Sequence, residues 1–342
     1  MTVPAPVPRT LLMVAEVLGF TLVLGIFSPP FWSFLGDGFA GMLGSWLLYG
    51  LAAVVLGATL NRVQRRGGLR TLGFRNHRGF WADVGTGVVA YAVIYLASLP
   101  LELTALSDRA ASMAALVKQL GLTSAASVLA VGGLLALVAG FFTGAFHEEV
   151  RFRGYYQGTG SHEATPLAGF VMALIPFCLG HHFAHPDWSA TQVLATLVPG
   201  IGYGLLYQAT GSLVAVMTAH TLSNWMPAYP VLVLVGTSSR AAALATAAGL
   251  AVAFALLIYQ RRATEVRIFV ESTRTMLRER PVFGFLVGAL VGASLLGTWP
   301  LSSPYVGWAG ALLLAVAVVG KRVTERRLDR PTRRPASARR AL

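Results

Sequence analysis

Two adjacent glutamates and two arginines follow a long apolar run that carries no charge. The run is Ser124–Phe146, and Glu148, Glu149, Arg151 and Arg153 then occur within six residues. A charge within or beside a bilayer costs about 2.5–3.5 kcal/mol on insertion scales. A chain that retains these side chains there therefore needs partners for them or a use for them.

On a helix, the two glutamates would have different surroundings. Glu149 and Arg153 are i,i+4 neighbours and are expected to form an ion pair. Glu148 points about 100° away from Glu149 and has no partner within this segment. A carboxylate without a partner in a low-dielectric site readily accepts a proton and can act as a general base. A solvated helix cap or a structural ion pair would explain the same cluster without any chemistry.

The composition is that of a membrane protein. Of the 342 residues, 55% are hydrophobic and 12% are charged, whereas about a quarter of the residues are charged in soluble proteins. Repeated apolar runs of about 20 residues predict an all-α, polytopic membrane protein. The net charge is +13, but the arginines lie in predicted loops and in the C-terminal tail. Their expected partners are therefore anionic membrane lipids and not nucleic acid.

Ten apolar segments are predicted to span the membrane. They cover roughly residues 11–32, 39–60, 81–103, 124 to the glutamate pair, 166–182, 189–208, 212–227, 241–260, 282–300 and 305–320. Residues 106–120 are expected to form an amphipathic helix at one surface. The three most basic segments follow spans two, eight and ten. Because these spans are all even-numbered, the three segments lie on the same side of the membrane. The positive-inside rule assigns that side to the cytoplasm, which also places both termini there. A count of eight spans would preserve this agreement, and the richness in Ala, Gly and Arg favours a bacterial plasma membrane.

The chain divides into four parts on this map. Residues 1–123 hold the N-terminal spans and an Arg-rich loop that is predicted to be cytoplasmic, and residues 124–227 hold the charged cluster and most of the other intramembrane polar residues. Residues 228–320 hold the C-terminal spans. Residues 321–342 form a basic, Pro-containing tail that is predicted to be disordered.

Histidines and an asparagine in later spans supply further polar groups. His181 ends span five, and His220 and Asn224 share one helix face in span seven. If the turn after Glu148 lies near residues 158–165, Glu148 and His181 are both some 20–30 Å from it and lie at similar depth. His220 is expected to be somewhat shallower unless Gly and Pro residues distort the helices.

Each of these polar residues also has a structural explanation. A histidine at the end of a span is more often an interface residue, and a His–Asn pair can simply bond two helices. We interpret the other buried polar candidates as packing or interface residues: Glu16, Asp83, Glu102, His147, His162, His182 and His185. Ionisable groups on three neighbouring elements at compatible depth nevertheless favour a functional site.

Three motifs in order resemble a known family. Glu148-Glu149-x-x-x-Arg153, Phe177-x-x-x-His181 and His220-x-x-x-Asn224 are similar to the motifs of the CAAX prenyl protease and bacteriocin-processing (CPBP or Abi) family of intramembrane proteases. The motifs cover roughly residues 130–227. The resemblance implies an all-helical membrane hydrolase whose site lies in a cavity within the bilayer and cleaves a membrane-associated protein or peptide.

The resemblance implies that the first glutamate activates water, and the chemistry of the other motif residues predicts roles that agree with this. The first glutamate, Glu148, would activate water, and His181 would orient or polarise it. His220 and Asn224 would stabilise the oxyanion, while Glu149 and Arg153 would hold the helix and tune the site.

A metal is a second possibility for the same residues. The family is often labelled a metalloprotease, although a glutamate mechanism without metal has been proposed for it. Glu148, His181 and His220 would form a His₂Glu set, which suits catalytic Zn²⁺. His147-Glu148 begins like the zincin motif H-E-x-x-H, but Arg151 stands where that motif has its second histidine, so the zincin arrangement is excluded.

Two other function classes remain open from the sequence. A non-catalytic bacteriocin-immunity or scaffold protein could use the same fold. A proton-coupled transporter would also need buried acids and histidines. Against transport, the polar groups cluster in predicted spans four to seven, and no half-to-half repeat is found.

Overall fold

The computed structural model describes residues 7–27, 38–74, 79–184, 190–261 and 311–321, together with the single positions 267, 270, 271, 273 and 274. Within these residues the chain is helical and forms no strand. The helices are α1 (Val7–Gly25), α2 (Phe39–Val63), α3 (Phe80–Thr104), α4 (Leu106–Gln119), α5 (Ala125–Glu163), α6 (Pro166–Ala184), α7 (Ala190–Thr210), α8 (Leu213–Trp225), α9 (Ala228–Thr237), α10 (Arg240–Arg261) and α11 (Ala311–Lys321). A short 3₁₀ helix, Gly68–Arg70, lies between α2 and α3.

Four of the described helices are long and apolar enough to cross a membrane, namely α2, α3, α5 and α10. Shorter apolar helices occur in α1, α6 and α11. The protein is therefore an all-α, polytopic integral membrane protein, as the composition predicts. The predicted span at 282–300 lies outside the described residues, so the count of ten stays a prediction.

One predicted span is shorter than expected. The segment 212–227 forms only the 13-residue helix α8, which is about 20 Å long and cannot cross a hydrocarbon core of about 30 Å. Pro227 follows two residues after its end, where a proline ring cannot continue the helical hydrogen bonds. The chain instead enters α9, a helix that the sequence did not predict, and α9 packs against α4 and the start of α5.

The helix α5 carries the charged cluster and is the longest described helix, at 39 residues. Ser124 and Ser127 cap its start reciprocally. Three π-helical segments interrupt it, at Val128–Gly132, Gly140–Ala145 and Glu149–Gln157. Such segments are rare and frequently lie at functional sites. Glu148 lies directly before the third of them.

A buried ion network joins distant helices at one end of the bundle. Arg66, in the loop after α2, lies 2.7 Å from Glu16 of α1 and 3.0 Å from Glu163 at the end of α5. Lys321 of α11 contacts Glu16 as well and lies 3.2 Å from Glu163. Burial lowers the pKa of the Arg66 guanidinium, but the Glu16 carboxylate outweighs burial and raises this pKa above its usual value. Arg66 of the Arg-rich loop is therefore paired within the fold, whereas the sequence predicted anionic lipids as the partners of the loop arginines.

Candidate active site

The three motifs meet at Glu148. Its carboxylate Oε2 lies 3.8 Å from His220 Nε2 and 3.9 Å from His181 Nε2. This oxygen is buried and has no hydrogen-bond partner among the described residues. Glu148 and the two imidazoles therefore form a compact set of polar groups within the helix bundle.

The α5–α6 hairpin brings Glu148 and His181 together. The turn lies at Ala164 and Thr165, at the C-terminal end of the predicted range 158–165. Glu148 is 16 residues before Ala164, and His181 is 16 residues after Thr165. At about 1.5 Å per residue, both side chains are about 24 Å from the turn. The predicted similarity in depth is confirmed by the 3.9 Å distance between them.

His220 lies at the same depth in the helix bundle as Glu148 and His181, so the expectation that it would be shallower was wrong. That expectation assumed that the α5–α6 and α7–α8 turns lie at one surface. Instead, Leu213 at the start of α8 packs beside Gly154, nine residues before the end of α5. The Leu213 N–H donates to Gly73 O at 3.0 Å, so the loop after α2 covers a recessed α7–α8 turn. Gly73 has a φ of +94° there, which favours glycine.

Glu149 is the partner that orients His220. Its Oε1 accepts a hydrogen bond from Arg153 Nη1 at 3.1 Å and lies 2.6 Å from His220 Nδ1. The predicted Glu149–Arg153 pair is therefore confirmed, and both side chains are fully buried. Because a carboxylate can only accept, His220 donates through Nδ1 and turns Nε2 toward Glu148.

Aromatic rings and a backbone carbonyl hold Arg153. Its guanidinium carbon lies 4.3 Å from the centre of the Phe177 ring and 5.2 Å from that of Tyr203. Arg153 Nη2 also donates to Gly200 O of α7 at 3.1 Å. Tyr203 stacks on the His220 ring at 4.7 Å. The Phe of the second motif is thus a packing residue beneath the ion pair.

The second histidine is oriented by its own helix. His181 Nδ1 lies 2.8 Å from Phe177 O, four residues earlier, so Nδ1–H donates and Nε2 is directed toward Glu148. Asn224 Nδ2 donates to Gly140 O in the second π segment at 3.1 Å. A primary amide carries two N–H groups, so this bond leaves a second donor for another ligand.

A cavity of about 800 Å³ leads to this set of residues. Glu148, His181, His220 and Asn224 all line it. Its other walls are mostly apolar or small side chains from the starts of α2 and α5, from α4 and from α9. Among the described residues that line the cavity, Glu148 is the one whose side chain carries a fixed charge, and the site lies at the inner end of the cavity.

Residues 130–226 match the family model described as type II CAAX prenyl endopeptidase Rce1-like. The matched segment covers less than a third of the chain and contains all three motifs. The match confirms the resemblance inferred from those motifs, and the described family is one of membrane endopeptidases. No curated protein and no solved structure matches the chain.

Within the Rce1-like segment, several residues that shape or support the site were not predicted from the sequence. Gly144 faces the site so closely that a Cβ there would lie 2.7 Å from Asn224 Nδ2 and 3.8 Å from His220 Nε2. Arg151 donates to Tyr156 OH at 2.8 Å and to Tyr49 OH at 3.4 Å, with its side chain buried. The only sequence signal was the unusual density of Gly and charge within one apolar helix.

The remaining acids and histidines are largely structural, as interpreted. His147 stacks on Trp46 at 4.4 Å, and its Nε2 lies 2.7 Å from Thr143 O. Asp83 accepts a hydrogen bond from Ser212 Oγ at 2.8 Å, and Glu102 pairs with Arg109. The side chains of His182 and His185 lie outside the described residues.

The residues do not form a ready metal site. Among the described side chains, no group of three or more His, Cys, Asp or Glu is arranged to hold a metal ion. Two ligands of one tetrahedral zinc at about 2.0–2.1 Å would lie about 3.3 Å apart, whereas Glu148 lies 3.8 and 3.9 Å from the two imidazoles. A set made of Glu148, His181 and His220 would have to contract before it could bind zinc.

Proposed function

We propose that the protein is an intramembrane endopeptidase in which Glu148 activates water to hydrolyse a peptide bond. One observation carries the proposal: a buried carboxylate oxygen without a hydrogen-bond partner faces two oriented imidazoles at the inner end of a cavity. Glu149 Oε2 is also buried without a partner, but of the two glutamates it is Glu148 that lines the cavity, where water and a substrate can reach it.

The geometry has room for the attacking water. Glu148 Oε2 and the two Nε2 atoms are separated by 3.8 and 3.9 Å. An oxygen atom beside them can therefore lie within a hydrogen-bond distance of about 2.8 Å from the carboxylate and from an imidazole. Glu148 accepts a proton as this water attacks the substrate carbonyl carbon, and His181 orients the water.

In this proposal, His220 and Asn224 stabilise the oxyanion. Because His220 Nδ1 donates to Glu149, only the protonated ring can also donate from Nε2. The second N–H of Asn224 supplies another donor.

The cycle closes on the same carboxyl group. As the tetrahedral intermediate collapses, the C–N bond breaks and protonated Glu148 returns its proton to the leaving amine. Glu148 is then a carboxylate again, and the products are a carboxylic acid and an amine, which become a carboxylate and an ammonium group when the remaining proton passes from the acid to the amine.

The cavity restricts the substrate. The wall residues that the structure describes carry no fixed charge apart from Glu148, so a charged side chain that packs against them beside the scissile bond would be desolvated without a partner. The proposed substrate is a membrane-associated protein or peptide with uncharged, mainly apolar residues around the cleaved bond.

Replacement of one carboxylate tests the proposal. Glu148→Gln removes the proton acceptor and is nearly isosteric, so we expect a folded protein that loses nearly all cleavage. Purified wild type and variant are compared on quenched fluorescent peptides with apolar cores, and cells that carry each protein are compared for new N-termini in the membrane fraction.

A matched variant shows whether any loss is specific. Glu102→Gln alters an acid that pairs with Arg109 outside the site and should retain cleavage. Full cleavage by Glu148→Gln would refute the mechanism. An immunity or scaffold role and proton transport remain alternatives without a comparable observation in the structure; proton flux in proteoliposomes would favour transport.

A further inference from the structure

The two ends of the helix bundle differ in charge. We call one of them the basic end; it comprises the C-terminal turns of α2 and α5, the loop 64–74 and the end of α11. It exposes Arg62, Arg65 and Arg70, and it contains the buried Arg66. Because Lys and Arg are enriched in cytoplasmic loops, the basic end is expected to face the cytoplasm.

The cavity opens at the opposite end of the bundle. Its rim includes Phe39 and Met42 at the start of α2 and Gln119 and Leu120 at the end of α4, and all four side chains are at least partly exposed. From this rim the wall follows α5 from Gly132 inward. The residues of α5 that line the cavity stop at Glu148.

Beyond Glu148, α5 is sealed toward the basic end. All nine residues of Glu149–Gln157 are buried. Gly154 packs so closely on the loop after α2 that a Cβ there would lie 2.9 Å from Leu72 O. Gln157 Nε2 donates to Gly204 O of α7 at 2.8 Å. Tight packing of this buried segment therefore separates the site from the basic end.

We infer that the substrate enters from the non-cytoplasmic side of the membrane. The occupant of the cavity is an apolar segment of a protein that is exposed at that face, and it reaches Glu148 by passing between α4 and the starts of α2 and α5. Exposed Phe39, Met42 and Leu120 at the rim offer an apolar contact, and the flexible methionine can adapt to different side chains. The inference rests on the proposed peptidase for the identity of its ligand, but the direction of access can be measured without any cleavage.

Thiol labelling tests the direction directly. Cys178 is the only cysteine in the chain, so Cys178→Ala gives a background into which single cysteines are introduced. Ala136→Cys places a thiol on the cavity wall, Gln119→Cys places one at the rim, and Arg62→Cys places one at the basic end. A membrane-impermeant charged maleimide is applied to right-side-out and to inside-out vesicles, and thermal melting of each purified variant establishes that it is folded.

Cysteines at the two ends of the bundle should be labelled in vesicles of opposite orientation. Cysteines at 119 and 136 should react in right-side-out vesicles and not in inside-out vesicles, while a cysteine at 62 should show the reverse. Labelling of position 136 from the cytoplasmic side would overturn the inference. It would also be overturned if position 136 reacted from neither side although the denatured variant reacts, because the cavity would then be closed. Since no cleavage is measured, an inactive enzyme with the expected labelling would refute only the proposed function.

Discussion

Removal of Arg153 should destabilise the protein strongly, because it leaves Glu149 buried with one partner fewer. Both side chains are fully buried, and Arg153 also contacts Gly200 O and two aromatic rings. Breaking a buried ion pair by removing one member costs about 3–5 kcal/mol. Glu149 retains His220 at 2.6 Å, which places Arg153→Ala near the lower end, at about 3 kcal/mol.

Free energies of unfolding in mixed micelles measure this effect. Each variant is titrated with increasing fractions of a denaturing detergent, and unfolding is followed by tryptophan fluorescence. Arg62→Ala is the matched control, because Arg62 is exposed at the end of α2 and its loss should change stability by less than about 0.5 kcal/mol.

A double variant separates charge from packing. Glu149→Gln combined with Arg153→Met removes both charges and retains most of the volume, so it should be more stable than Arg153→Ala. If Arg153→Ala were as stable as the wild type, the pair would be solvated and the reasoning from burial would be refuted. If the double variant were the less stable of the two, desolvated charge would not be the cause.

Three further experiments address the site. Gly144→Ala should fold but lose at least about tenfold in kcat/KM, because its Cβ would lie 2.7 Å from Asn224 Nδ2. The control is Gly249→Ala, which should match the wild type because a Cβ there meets nothing within 4 Å. His220→Ala and Asn224→Ala should each lower kcat by about 10²–10³-fold if both stabilise the oxyanion, and a much larger loss for His220 alone would indicate a different role for it. Treatment with a chelator should leave cleavage unchanged, whereas loss of activity that zinc restores would identify a metal enzyme.

Simple counting along helices predicted the central contact of the site. Glu148 and His181 lie on two helices joined by one short turn, so equal distances from the turn imply equal depth. The i,i+4 spacing likewise predicted the Glu149–Arg153 pair. Both predictions depend only on regular helix geometry near the residues concerned.

Contacts between helices without a direct connection could not be predicted in this way. The level of His220 depends on Gly73, which covers the α7–α8 turn from a loop some 140 residues earlier in the chain. The contact between Glu149 and His220 depends on that same level. The burial of Arg66 was hidden because an arginine among other loop arginines has the same local pattern whether it is solvated or paired with Glu16.

The distribution of charge along α5 explains why its first half lines the cavity while its second half is packed inside the bundle. Its first half, Ala125–Phe146, has no charge and contributes wall to the cavity, where an apolar substrate can replace lipid or water at little cost. Its second half is buried around charges that have partners of opposite charge or hydrogen-bond partners within the protein: Glu149 contacts Arg153 and His220, and Glu163 contacts Arg66 and Lys321. Glu148 lies at the boundary, with a buried oxygen that these partners do not reach. A carboxylate at the junction of an apolar cavity and a rigid polar wall is held in place by the wall and faces the substrate, which is the combination that a general base requires.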